Sequence, residues 1–284
     1  MQHPFSVLQS EYTALLAAMT LTREAALESA AKRLIGFIDA GHYKPGCDQT
    51  GVPQKDAATS FEREASSNFR DGPAQGDPID RVSVHVPRGI GPFSTWTGAQ
   101  IKAYQIDGLD KIGAQNWTWE RSCYEWELFN GFGYRSHGIH SPYLWAGSNI
   151  YERGKYVADG VWSASAVDSQ LGVIPMMYCI ARARPDLALP IPFPTTLQAV
   201  ATVPPPQAPP AGLHDAATLQ ADLNNLPAAA FADGYYASRP LTVDGSYGRE
   251  TKRAVMAFQK AAGITVDGLA GPQTWAAISQ KLEG

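Results

Sequence analysis

At 284 residues the chain exceeds one typical domain, and its 44% hydrophobic and 18% charged residues leave enough apolar material for a core, so one large and one small domain are expected. With 23 Lys and Arg against 27 Asp and Glu, the net charge of −4 supplies no field to condense a polyanion, which argues against nucleic acid as a main partner. The three scattered cysteines, Cys47, Cys123 and Cys179, fit neither a disulfide framework nor a tetrahedral metal site and read as buried free thiols.

In chain order, Met1 to Ser6 lacks a basic leader region, and the apolar run Leu15 to Met19 is too short for a membrane span. The chain is therefore expected to be made in the cytoplasm, with no membrane span, and to need another route to any target outside it. Thr22 is placed to cap a helix whose apolar positions Leu27, Ala31, Leu34, Ile35 and Ile38 recur at helical spacing, ending near Gly41. A second helix is expected after Gly51-Val52-Pro53, carrying Ala57, Ala58, Phe61 and Ala65. From Arg81 to Pro87 valines alternate with polar residues, which predicts a half-buried strand, with a turn at Gly89, Gly91 and Pro92. Helical patterns return at about 97–107, 117–129 and 167–183, the last kinked by Pro175. The proline-dense stretch 185–212 reads as a semi-rigid tether, dividing residues 1–184 from 213–284. The fold class is α+β, mostly α.

In the C-terminal part, Val243-Asp244-Gly245-Ser246-Tyr247-Gly248-Arg249-Glu250-Thr251 and Val266-Asp267-Gly268-Leu269-Ala270-Gly271-Pro272-Gln273-Thr274 both read V-D-G-x-x-G-x-x-T. Asp-Gly suits a tight turn, and each Thr precedes an apolar-periodic stretch. With the Phe258-Gln259 pair and Trp275, the duplicated motif resembles the peptidoglycan-binding domain type 1 family, a three-helix module, over residues 213–284. The resemblance implies peptidoglycan glycan strands as the partner, while Phe258 and Trp275 themselves are expected to fill the module.

The N-terminal part must then carry any chemistry. Zinc catalysis needs converging ligands, yet His137 and His140, the sole close histidine pair, sit in a loop-like segment without a nearby carboxylate. No cysteine has the context of a nucleophile. Glycoside cleavage needs a carboxylic acid in a partly apolar cleft. At the end of the second helix, Glu62 and Glu64 lie about 160° apart, so only one can face a given cleft. With Phe61 as buried centre, Glu64 projects roughly 20° beyond Ala57 and Glu62 roughly 40° beyond Ala58, which favours Glu64.

The motifs Arg63-Glu64-Ala65-Ser66-Ser67-Asn68-Phe69, Gly76-Asp77-Pro78, Asn130-Gly131-Phe132-Gly133-Tyr134-Arg135, Ser141-Pro142-Tyr143-Leu144-Trp145 and Gly154-Lys155-Tyr156-Val157-Ala158-Asp159-Gly160 occur in that order. Together they resemble a phage and bacterial endolysin-type lysozyme family over roughly residues 45–180, departing from it at Arg70 to Gln75, where related sequences tend to read His-x-His-Asn. The resemblance implies a lysozyme-like fold, with a catalytic glutamate ending a helix just before a small β element, and no metal or organic cofactor. It maps the general acid onto Glu64 and a cleft-lining motif onto Asn130 and Gly131. Asp77, between acid and strand, is the candidate second carboxylate, with an Asp-Pro turn as its rival role. Asn130 is expected to donate to an acetamido carbonyl and Tyr134, Tyr143 and Trp145 to stack on pyranose faces, core packing being the rival for Trp145. His85 points away from the valine face, either into the cleft or into solvent. Glu125 and Glu127 read as solvated or structural, with one of them facing the cleft as the rival. The resulting expectation is a monomeric muramidase cutting the β-1,4 bond between MurNAc and GlcNAc, with a lytic transglycosylase and a non-catalytic wall-binding virion or structural protein as alternatives.

Overall fold

A computed structural model of the chain describes residues 4–73, 76–84, 89–158, 161–187, 189, 203, 205–206, 216–232, 240–245, 247–266 and 268–283. In its N-terminal part run α1 (Phe5–Ala18), α2 (Glu24–Asp39), α3 (Lys44–Thr50), α4 (Gln54–Ala65), α5 (Trp96–Asp107), α6 (Trp119–Asn130), the single turns α7 (Gly133–Ser136) and α8 (Pro142–Trp145), a two-stranded antiparallel hairpin of β1 (Lys155–Ala158) and β2 (Val161–Ser163), and α9 (Val173–Ala183). The C-terminal part holds α10 (Ala216–Asn225), α11 (Arg249–Ala262) and α12 (Pro272–Glu283). The described residues are mostly helical with one small sheet, and no helix among them is long and apolar enough to cross a membrane.

Helix α9 is the hub, because Val173, Ile174, Met176, Met177 and Ile180 are fully buried and α2, α4 and α8 pack around them. Its sequence is apolar on nearly every face, as a helix surrounded by others requires. It begins at Val173 rather than near 167, so Pro175 falls in the first turn, where its missing N–H costs nothing and no kink is needed. Helix α1, which the periodicity did not predict, buries Leu8, Tyr12, Leu15 and Leu16 against α6. Helix α4 starts after an extended Pro53 and buries Ala57, Ala58 and Phe61, as read from the sequence. Thr22 does not cap α2: Arg23 takes the N-cap position, and the Thr22 N–H donates instead to the Gly147 carbonyl at 2.9 Å.

The β element lies elsewhere than expected. Residues 81–84 form no strand; Val82 and Val84 are exposed and Ser83 is buried, the reverse of the predicted faces. Here two backbone bonds, from Ser83 N–H to the Ile90 carbonyl and from Gly89 N–H to the Ser83 carbonyl, close a loop that the polar residue anchors. The sheet comes instead from β1 and β2, with Tyr156 opposite Trp162. His85 and most of the predicted tether lie outside the described residues.

The C-terminal helices are joined by a repeated device. Gln220 on α10 accepts the Asp244 and Gly245 N–H groups and donates to the Thr251 hydroxyl at 3.1 Å. Gln259 on α11 accepts the Gly268 N–H and donates to the Leu269 carbonyl and the Thr274 hydroxyl at 3.0 Å. Each V-D-G-x-x-G-x-x-T copy thus folds around one buried glutamine. Gly245 and Gly268 have φ of 70° and 69°, the left-handed region where a side chain is strained. Phe258 is fully buried and Trp275 partly so, as module filling requires.

The C-terminal helices also meet the N-terminal part. Arg253 pairs with Asp107 at 3.0 Å, both buried, and Lys252 lies 3.7 Å from Glu125. Gly248 faces the Gly131 backbone.

Candidate active site

Helix α4 ends in three charged residues, Glu62, Arg63 and Glu64. Glu62 takes both guanidinium nitrogens of Arg33, at 2.7 and 2.9 Å, and the Ser67 hydroxyl at 2.7 Å. Arg63 pairs with buried Asp168 at 2.9 Å and lies 4.9 Å over the Tyr143 ring. Glu64 is half-buried. The helix stops because Ser66 and Ser67 adopt left-handed φ of 49° and 55°. For non-glycine residues this costs on the order of 1–3 kcal/mol each, and such strain clusters at functional sites.

Asp168 joins this helix end to the hairpin. Burial alone would raise its carboxyl, but Arg63, the Gln170 N–H and Lys155 of β1 together hold it below the usual carboxylate value. It is therefore an ionised clamp between α4 and the sheet. The start of α4 is fixed as firmly: Lys55 and Asp56 form a fully buried pair at 3.0 Å, and the Trp126 indole donates to the other oxygen of Asp56 at 3.0 Å.

On the hairpin side, Tyr134 meets Tyr156 and Trp162 edge-on, and His137 stacks parallel on Trp162 with centroids 3.8 Å apart. The Tyr156 hydroxyl lies 3.0 Å from His137 Nε2. A Cβ at Gly154 would come within 3.0 Å of the Trp162 ring, so the glycine lets the indole lie on the backbone. Burial pushes the Tyr134 phenol up to about 12, which keeps its proton as a donor. The ring cluster of Tyr156, Trp162 and His137 was not singled out from the sequence; the aromatic residues flanking Asp159-Gly160 were the available signal.

The turn at Asn130 and Gly131 is set by buried ions. Arg135 donates to Glu127 at 2.7 and 2.8 Å and to Glu11 at 3.0 Å, and the Tyr12 hydroxyl donates to Glu127 at 2.7 Å. Glu127 is thus structural, and Glu125 lies between Arg121 of its own helix and Lys252 of α11. Asn130 is exposed, its side-chain amide donating to the Ser141 hydroxyl at 3.1 Å, and Gly131 is buried.

Two candidate residues have other duties. Trp145 is 1% exposed, so its ring is core and not a pyranose platform. Tyr143 is nearly as buried, beneath Arg63, and supports the site rather than lining it. Asp77 is buried in the loop after α4; one of its oxygens accepts the Val84 N–H at 3.0 Å, and its carbonyl accepts the Gly72 N–H at 2.7 Å. The loop does approach α4, since a Cβ at Gly76 would lie 3.5 Å from the Glu64 carbonyl. The three cysteines are buried free thiols, and burial pushes Cys47 up to about 12 and Cys179 to about 11, leaving no thiolate nucleophile. Among the described residues no cluster of ligands could hold a metal ion.

Residues 215–278 match the family model described as "Putative peptidoglycan binding domain". No curated protein and no solved structure matches the chain. The duplicated, glutamine-centred turns of α10 to α12 are therefore the framework of a C-terminal peptidoglycan-binding domain.

Proposed function

We propose that the chain is a muramidase that cuts the β-1,4 bond between MurNAc and GlcNAc and is held at the wall by its C-terminal domain. The observation that carries this reading is the end of α4, where half-buried Glu64 sits just before Ser66 and Ser67, both held in the left-handed region. Glu64 donates its proton to the glycosidic oxygen as the C–O bond breaks. An oxocarbenium-like centre develops, and water adds there and returns a proton to Glu64. Asn130 and the Tyr134, Tyr156 and Trp162 rings are the groups proposed to hold the sugars.

A lytic transglycosylase is the second reading, and one observation favours it. Asp77 already accepts the Val84 amide in a closed loop, which limits it as a base for water. Without water, the sugar's own 6-hydroxyl closes an anhydro ring. Mass spectrometry of the released ends separates the two: reducing ends support hydrolysis, and anhydro ends support transglycosylation.

A further inference from the structure

Between α5 and α11 lies a groove of about 580 Å³, within the size range of small-ligand sites and at a domain boundary, where such sites concentrate. Ile90, Phe93, Ile106, Met256 and Val266 give it apolar walls. Lys102, Lys111 and Lys260 bring cationic groups to it from both domains, and Arg253 adds a fourth that is neutralised by Asp107. No acidic residue lines the groove among the described residues, although the chain as a whole carries more acids than bases. Lys102 and Lys111 are exposed and take part in no ion pair among the described residues.

A neutral glycan suits this lining poorly, since pyranose faces want aromatic platforms and neutral hydrogen-bonding groups, and Phe93 is the groove's one aromatic ring among the described residues. Methyl-bearing chains with several carboxylates suit it well, because alkyl groups fill the apolar walls while carboxylates meet ammonium groups. We propose that the groove binds the anionic stem peptide of peptidoglycan. This rests on the wall-cutting reading and deepens it: the hairpin side takes the sugars, and the α5–α11 groove takes a peptide branching from the same or a neighbouring strand. Because each domain contributes lysines, a bound peptide also ties the two domains together.

The test uses the full chain and isothermal titration calorimetry with a purified stem tetrapeptide, the same peptide with its carboxylates amidated, and glycerol phosphate. Wild type should bind the free tetrapeptide, and both amidation and the double variant Lys102→Glu/Lys111→Glu should weaken binding about tenfold or more. Lys102→Gln/Lys111→Gln, which removes attraction without adding repulsion, should weaken it less but clearly. Unchanged affinity in both double variants, or binding of glycerol phosphate without the tetrapeptide, overturns the proposal. Sedimentation with intact sacculi reports the wall reading separately. A chain that sediments while its tetrapeptide affinity ignores the lysines leaves that reading standing and removes only the groove.

Discussion

The two ends of the molecule organise polar groups by opposite means. In the C-terminal domain each turn is closed by a glutamine of a neighbouring helix, Gln220 with Thr251 and Gln259 with Thr274, through hydrogen bonds repeated in the sequence, and Gln220 also donates to the Asp244 carboxylate at 2.7 Å. In the N-terminal part the candidate site is clamped by ions: Arg63 with Asp168 and Arg135 with Glu11 are distant in sequence, Arg135 with Glu127 lies closer, and Lys55 pairs with its neighbour Asp56 under Trp126. The bonds of Gln259 to backbone groups and the Thr274 hydroxyl involve no titrating partner. A framework of buried ions positions side chains tightly but fails sharply when one partner is lost.

The largest expected effect separates the domains' tasks. Removing residues 213–284 should lower activity on intact sacculi by about 10²–10⁴, the scale of lost effective concentration, and leave cleavage of short soluble glycan much less affected. Equal losses in the two turbidity and oligosaccharide assays would contradict the anchoring role. Next comes the ion network: Arg135→Ala leaves Glu127 and Glu11 buried without their cation and should cost about 3–5 kcal/mol in chemical denaturation. The glutamine framework should be more forgiving, Gln259→Ala costing about 1–3 kcal/mol by the same measurement. If the glutamine proved costlier than the arginine, the comparison would be reversed.

Legibility followed the same division. The duplicated turns could be read directly because their chemistry is local, with Asp-Gly, Gly and Thr at fixed spacing, and Gly245 and Gly268 take the matching conformation the spacing implied. Helix α4 was legible for a similar reason, with Pro53 before it and Ala57, Ala58 and Phe61 on one face. The clamps were not, since nothing near Arg63 in the sequence announces Asp168, and nothing near Arg135 announces Glu11. Alternation misled at Val82 and Val84 because a two-residue period is necessary for a half-buried strand but is not sufficient: loop closure through buried Ser83 and Asp77 exposes the valines. The choice between sugar platform and core packing for Trp145 was not legible because burial of a ring depends on what surrounds it, and the buried hub α9 packs beside α8.

The smallest effect is a pH slope. Asp168 is held below its usual value, so its contribution is complete above about 3.9, the unfolded value, and is lost as pH falls from there through the lower folded value. Asp168→Asn should therefore flatten the acid limb of the thermal stability profile below about pH 4, whereas Gln259→Ala should leave that limb's shape unchanged.

The most direct test of the central claim is lysis of outer-membrane-permeabilised cells by Glu64→Gln beside wild type, with sacculus sedimentation as the control for wall binding. The account predicts that the variant still sediments with sacculi but loses lysis by at least about a hundredfold, the scale of one general acid. A Glu64→Gln protein that lyses cells as fast as wild type would contradict it.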